Sequence, residues 1–236
     1  VGHKAAKMMK RSKNAEARKE RAAEEKSKLL NNAEYAEMLK ITPLMYHSEK
    51  LVSFSDVAVI YEGNQVCDAV TFQICRGERI LIQGKNGSGK SSLLKLLLKY
   101  PIEHTGTVTS GSGLVISYVL QDTSHLKGTL TEFAKVHKID ESLFKAILRK
   151  MDFERVQFEK DMKDFSAGQK KKVLIAKSLC EPAHLYVWDE PLNYIDVYSR
   201  IQIEQLIRQF SPAMLLVEHD VTFQKEIDAK VITLRK

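Results

Sequence analysis

Between a short apolar run, Arg79-Ile80-Leu81-Ile82-Gln83, and an apolar segment from Ser92 to Leu98, the chain reads Gly84-Lys85-Asn86-Gly87-Ser88-Gly89-Lys90-Ser91. This G-x-x-x-x-G-K-[ST] spacing constrains the fold more than any other feature, because it needs a buried strand to enter it and a helix to leave it. Glycines let the backbone curl until several amides point inward, and the positive end of the following helix faces the same spot. Such a loop is a cradle for phosphate oxygens. Lys90 is expected to reach the β and γ phosphates of a nucleotide and the Ser91 hydroxyl to ligate Mg2+, which prefers hard oxygen donors. Gly84, Asn86, Gly87, Ser88, Gly89 and Ser92 belong to the same expected binding segment.

The surrounding pattern is that of an α/β domain. Leu51 to Ile60 alternates in a strand-like way before a turn at Glu62-Gly63-Asn64, and Ala69 to Ile74 reads as a second strand turning at Arg76-Gly77-Glu78. Apolar runs at Leu114 to Val119, His184 to Trp188, Met214 to Val217 and Lys230 to Leu234 are separated by helix-like segments. That order predicts a largely parallel sheet covered by helices. No internal repeat is visible.

Charge divides the chain. The formal net charge is +7 over 236 residues, yet residues 1–30 alone carry ten Lys and Arg against four Glu. From Ala5 to about Leu39 there is neither Pro nor Gly, and good helix formers dominate, so one long basic helix is expected there. Its apolar residues are too few to bury it alone; it is read as a solvated charged helix, as one strand of a helical hairpin whose partner is missing, or as an arm laid against RNA phosphates. Cys67, Cys75 and Cys180 show no C-x-x-C spacing, which argues against a disulfide framework or zinc site and fits a reducing cytoplasm. The longest apolar stretches, such as Ala213 to Val217, fall far short of the roughly 20 residues of a membrane span. No secretion signal is recognisable, and the absence of a leading Met suggests a piece of a longer protein.

A phosphate loop by itself gives only nucleotide binding. Further along stand Gln121 after the strand Leu114 to Val119, Phe165-Ser166-Ala167-Gly168-Gln169 opening a helix to Leu179, and Leu185-Tyr186-Val187-Trp188-Asp189-Glu190-Pro191, an apolar strand ending in two carboxylates. After them come Asn193-Tyr194-Ile195-Asp196 and, beyond the next strand, His219. Strand alternation is expected to send the Asp189 and Glu190 side chains to opposite faces.

These motifs, in this order over residues 50–236, resemble those of ATP-binding cassette proteins. The resemblance implies a P-loop NTPase of ABC type: a largely parallel sheet core, an antiparallel β subdomain and a small helical subdomain, here preceded by the long basic helix. It further implies an ATPase in which Asp189, Ser91 and Gln121 hold the Mg2+ shell, Glu190 polarises the attacking water and His219 contacts the γ-phosphate. Ser166, Gly168 and Gln169 match the signature sequence, whose Leu is replaced by Phe165 and whose first Gly is replaced by Ala167, a change that costs only where a positive φ is needed. Asp196 matches the aspartate that touches the opposite subunit. Tyr61, 23 residues before the phosphate loop, is placed either to stack on adenine or to pack on the sheet. In this family the signature of one cassette completes the ATP site of another, so a second cassette is implied as partner and the isolated chain is expected to turn ATP over weakly.

Three features resemble the ABC-F group of two-cassette, ribosome-acting proteins. They are the basic segment before the cassette, the short spacings of 31 residues from Lys90 to Gln121 and 44 from there to Phe165, and the run Glu190-Pro191-Leu192-Asn193-Tyr194-Ile195-Asp196. Together with Tyr186-Val187-Trp188 and Lys170-Lys171-Lys172, that run is similar to the antibiotic-resistance members acting against lincosamides, pleuromutilins and streptogramin A. On this reading residues 1–44 are the end of an interdomain linker reaching toward tRNA and rRNA, and residues 45–236 are the cassette. A transporter motor, a housekeeping translation factor and a chromosome or repair ATPase are the rival classes. The three lysines are expected to be solvated, with a bound anion as the alternative.

Overall fold

A computed structural model of the protein describes residues 43–235; the basic helix expected before Pro43 lies outside the described residues. The sheet at the centre has five strands, all parallel. In chain order the strands and helices are β1 (Lys50–Val57), β2 (Ile60–Tyr61), β3 (Asn64–Gln65), β4 (Val70–Cys75), β5 (Arg79–Gly84), α1 (Lys90–Leu97), β6 (Thr107–Ser110) and β7 (Ile116–Val119). They continue with α2 (Leu130–Val136), α3 (Glu141–Lys150), α4 (Ala167–Cys180), β8 (Leu185–Asp189), α5 (Val197–Phe210), β9 (Met214–Val217), α6 (Val221–Glu226) and β10 (Lys230–Leu234).

The parallel sheet runs β10-β5-β9-β8-β7. Its middle strands read as continuous apolar runs because both faces are covered; every residue of β8 and β9 is buried. Register sets Ile82 level with Val217 and Val217 level with Asp189, so the segments that follow β5, β9 and β8 leave the sheet side by side at its carboxyl edge. That edge is where ligands bind in open α/β sheets.

A second, antiparallel sheet of order β4-β1-β6 carries Phe54, stacked on Phe72 with ring centroids 4.5 Å apart. Fully buried Phe54, Ile74, Leu93, Leu94 and Leu215 join both sheets and α1 in one core. Strand β6 was not foreseen: Thr107-Val108-Thr109-Ser110 is polar at three of four positions and pairs only along one side, with β1.

The helical part is built on caps. Thr129 and Glu132 form a reciprocal capping box at the start of α2, and the Asp140 carboxylate accepts the Leu143 amide at the start of α3. Phe153 holds this part to the signature segment, with its ring edge-on to Phe165 at 5.4 Å. Phe165 is buried, so it does the packing expected of a Leu in that place. Among the described residues no helix is long and apolar enough to cross a membrane.

Candidate functional site

The phosphate loop joins β5 to α1, as its spacing requires. Gly87 and Gly89 adopt φ of 78° and 84°, the left-handed region that side chains resist. Gly84 is held to glycine by proximity: a Cβ there would lie 2.6 Å from the Ser88 hydroxyl. Among the described residues, the amides of Asn86, Gly87 and Gly89 donate to no other protein group, and the buried Ser88 hydroxyl has no partner. The Ser88 hydroxyl, buried and without an acceptor or donor, is costly unless something bonds to it, while the Asn86 and Gly87 amides stand at an exposed stretch open to a ligand. The Lys90 ammonium folds back on the loop and donates to the carbonyls of Gly84 (2.9 Å) and Lys85 (3.1 Å). The loop thus presents unpaired donors and one buried cation, the chemistry of an anion cradle.

Next to it lie two hard oxygens. Ser91 Oγ donates to Asp189 Oδ1 at 3.1 Å, although the residues are 98 apart in sequence. Asp189 is buried, and burial pushes its carboxyl above the usual range; the Ser91 hydrogen bond opposes this and the neighbouring Glu190 adds to it. Among the described residues there is no cluster of three His, Cys, Asp or Glu that would form an all-protein metal cage. A Ser hydroxyl beside one carboxylate at a phosphate cradle fits Mg2+, which keeps waters and takes phosphate oxygens as ligands. The residues present therefore fit the ion that the sequence implied.

Glu190 departs from the expectation of strand alternation. Strand β8 ends at Asp189, and Glu190 turns away with φ of 46°, so the two carboxyls are separated by a turn and not by the pleat. Gln121 Nε2 and Asn193 Nδ2 both donate to its Oε2, at 2.9 and 2.7 Å. Glu190, Gln121, Tyr61, Asn86, Gly87, Gly89, Lys90, Ser91 and Ser92 line one open cavity of about 370 Å³. A second hollow of about 390 Å³, lined by Ser91, Gln121 and Asp189, opens beside it. Tyr61, on the two-residue strand β2, stands half exposed at the cavity mouth with its hydroxyl 2.7 Å from Ser92 Oγ.

Ser166, Gly168 and Gln169 do not line that cavity. Ser166 Oγ accepts the Gln169 amide at 3.2 Å, and Gln169 Oε1 accepts the Ser166 amide at 2.9 Å. The two signature residues therefore cap α4 reciprocally, a role legible from the S-x-x-Q spacing alone. Ala167 is the first residue of α4 and has no positive φ, which is why a Gly is dispensable there.

Two lysines contradict the expectation of solvation. Lys171 is buried and donates to the carbonyls of Leu120 (3.2 Å) and Asp189 (3.3 Å); burial lowers its pKa. Lys172 is buried too, bonded to the Met151 carbonyl at 2.7 Å and paired with Asp196 at 2.7 Å. Asp196 also caps α5, accepting the amide and hydroxyl of Ser199 at 2.8 Å each. Partial burial raises the Asp196 pKa, but the Lys172 and Ser199 hydrogen bonds outweigh it and hold the carboxyl down at about 2. A depressed pKa means that its stabilisation is complete above the ordinary Asp range and fades as pH falls through about 2. Asp196→Ala removes the cap and leaves Lys172 unpaired; it should lower unfolding stability by about 1–2 kcal/mol at neutral pH, measured by urea titration.

His219 is exposed and lies just past β9, between β8 and β5, but does not line the cavity. Its amide donates to the carboxylate of Glu218 at 2.8 Å. Glu218, buried and overlooked in the sequence, also accepts the Leu192 amide at 3.0 Å.

A phosphate cradle and an acidic strand end brought together on the carboxyl edge of a parallel sheet define a P-loop nucleotide-binding domain. The chain belongs to the ABC transporter family, whose model matches residues 67–193. It is 28% identical over 193 residues to ABC transporter F family member 2 of Arabidopsis thaliana, covering 78% of this chain and 28% of that protein. It is 31% identical over 195 residues to the zinc import ATP-binding protein ZnuC of Vibrio cholerae, covering 78% and 73%. The ribosome protection protein VmlR of Bacillus subtilis matches at 26% over 206 residues, 84% of this chain and 37% of that one. Among solved structures, that of the complex of archaeal ribosomal stalk protein aP1 and archaeal ribosome recycling factor aABCE1 aligns with a TM-score of 0.69 at 25% identity, over 82% of this chain and 38% of that chain. The chain thus spans 28% and 37% of the length of the two relatives named first and last.

Proposed function

We propose that this chain is a Mg-ATP-hydrolysing cassette of a ribosome-associated ABC-F protein, acting in antibiotic resistance by ribosome protection, with residues 1–44 as the end of an interdomain linker and 45–236 as the cassette. The observation that carries the hydrolytic part is the cavity where Lys90, Ser91, Gln121 and Glu190 meet. Lys90 exchanges its two loop carbonyls for β and γ phosphate oxygens, while the amides of Asn86, Gly87 and Gly89 take the others. Ser91, Asp189 and Gln121 hold Mg2+, which neutralises charge developing on the phosphates. Glu190 Oε1, left without a partner among the described residues because both side-chain amides go to Oε2, accepts the proton of the attacking water. Tyr61 stacks on adenine and His219 reaches the γ-phosphate. Ser166, Gly168 and Gln169 face a second cassette, across which Asp196 lies, and complete that cassette's site. Half a site positions half the charge, so the chain alone turns over slowly.

The ribosomal part rests on the basic residues 1–30 and on the likeness to VmlR and to the recycling-factor structure. Ribosomes sedimented with the protein in a non-hydrolysable ATP analogue should retain it, and retention should fall steeply as salt is raised, since phosphate contacts release counterions. Absence from the ribosomal pellet at low salt would favour the transporter-motor reading, to which the likeness to ZnuC points. Retention without protection from a lincosamide in a growth assay would leave a housekeeping factor.

A further inference from the structure

The turn Leu192–Asp196, which follows Glu190, is held from two sides by charged groups that the hydrolytic chemistry does not use. Glu218 is buried with 4% of its surface exposed, and each of its oxygens takes one backbone amide, from Leu192 at 3.0 Å and from His219 at 2.8 Å. Arg200 spans the other side. It donates to the carbonyls of Leu192 (3.3 Å) and Ile195 (3.2 Å) and to Asp220 Oδ2 (2.7 Å). Both backbone polar groups of Leu192 are therefore tied to the segment Glu218–Asp220 that carries His219.

The same turn bears on the signature helix. A Cβ on Gly168 would sit 2.4 Å from the Tyr194 carbonyl oxygen, so helix and turn touch backbone to backbone, while the Tyr194 side chain is 80% exposed. A movement of the start of α4 must push the turn, and the turn cannot move without Leu192. Burying a carboxylate is costly, and no salt bridge among the described residues involves Glu218. What the carboxylate supplies is two acceptors facing opposite ways; the amide of Gln, equal in size, accepts with one atom only.

We propose that Glu218 and Arg200 are positioning residues that couple the Leu192–Asp196 turn, and through it Gly168 of the signature helix, to His219. The coupling rests on the reading of His219 as the γ-phosphate contact. Binding of a triphosphate at His219 then stiffens the turn, and displacement of the signature helix by a partner cassette shifts His219.

Amide hydrogen exchange with and without the Mg-loaded non-cleavable ATP mimic, together with steady-state ATPase assays, tests this on the whole protein. In the unsubstituted protein the mimic should slow exchange in residues 84–91 and in 191–196. Glu218→Gln should bind the mimic within about threefold and keep the slowing in 84–91, but lose it in 191–196; kcat should fall at least tenfold with KM little changed. Arg200→Lys, which keeps the charge on a partly exposed side chain and loses the fork, should show the same split more mildly and serves if Glu218→Gln does not fold. Wild-type kcat with slowing intact in 191–196 in either folded variant overturns the proposal, as does a mimic that leaves 191–196 unaffected in the unsubstituted protein. Failure of the mimic to bind at all would sink the nucleotide reading itself.

Discussion

Replacing Glu190 by Gln is expected to cut ATP turnover by about 100-fold or more while leaving Mg-ATP binding within about twofold. The size follows from what is removed. A positioned base contributes that much to a proton transfer, equivalent to about 2.7 kcal/mol of barrier. The amide keeps the shape of the side chain, and its oxygen can still accept the Gln121 and Asn193 donors that now meet at Oε2. It cannot take a proton. On the proposed mechanism Glu190 meets the phosphates only through water, so binding contacts from Lys90 and the loop amides should survive. Single-turnover quench-flow and equilibrium titration with labelled ATP, run on the same preparation, separate the two effects. Turnover within threefold of the unsubstituted protein would remove Glu190 from the chemistry.

Lys90→Ala is expected to weaken ATP binding by about two orders of magnitude or more, the largest loss any single substitution here should cause to affinity. Charge-assisted bonds to phosphate are about twice as strong as neutral ones, and Lys90, only 6% exposed, would make them from a side chain largely shielded from water. The empty loop should tolerate the change, because the carbonyls of Gly84 and Lys85 that lose a donor are not fully buried and can turn to water. Isothermal calorimetry should therefore detect no heat of binding at micromolar protein while the melting temperature stays close to that of the parent. Unchanged affinity would mean that the loop grips something other than a triphosphate.

How far the sequence carries depends on the range of the forces involved. Met214 to Val217 and Lys230 to Leu234 are strands over the residues expected, since a bounded apolar run between helices has one comfortable place in a parallel sheet. The phosphate loop was legible because its glycines and lysine act within a few residues of one another. Long-range pairings were not. Lys171 and Lys172 read as a charged run facing water, yet their partners are carbonyls 18 to 51 residues away, at Asp189, Met151 and Leu120. Glu218 reads as the polar end of a strand, and only the folded chain brings Leu192 within reach of it. The alternation that separated Asp189 from Glu190 failed because the strand stops between them, at a residue with a left-handed backbone that no side-chain pattern announces. The Ser166–Gln169 box, by contrast, is local and follows from the S-x-x-Q spacing, although in the sequence that segment reads only as a signature match.

The chain has one tryptophan, and Trp188 is fully buried on β8, its indole nitrogen donating to Ser178 Oγ at 2.8 Å. It immediately precedes Asp189 and rests against the helix that begins with the signature. All indole emission from these 236 residues thus originates at one spot, wedged between the Asp189 carboxylate and the signature helix. The molecule carries its own optical probe, and stopped-flow spectroscopy can follow that junction without any attached dye.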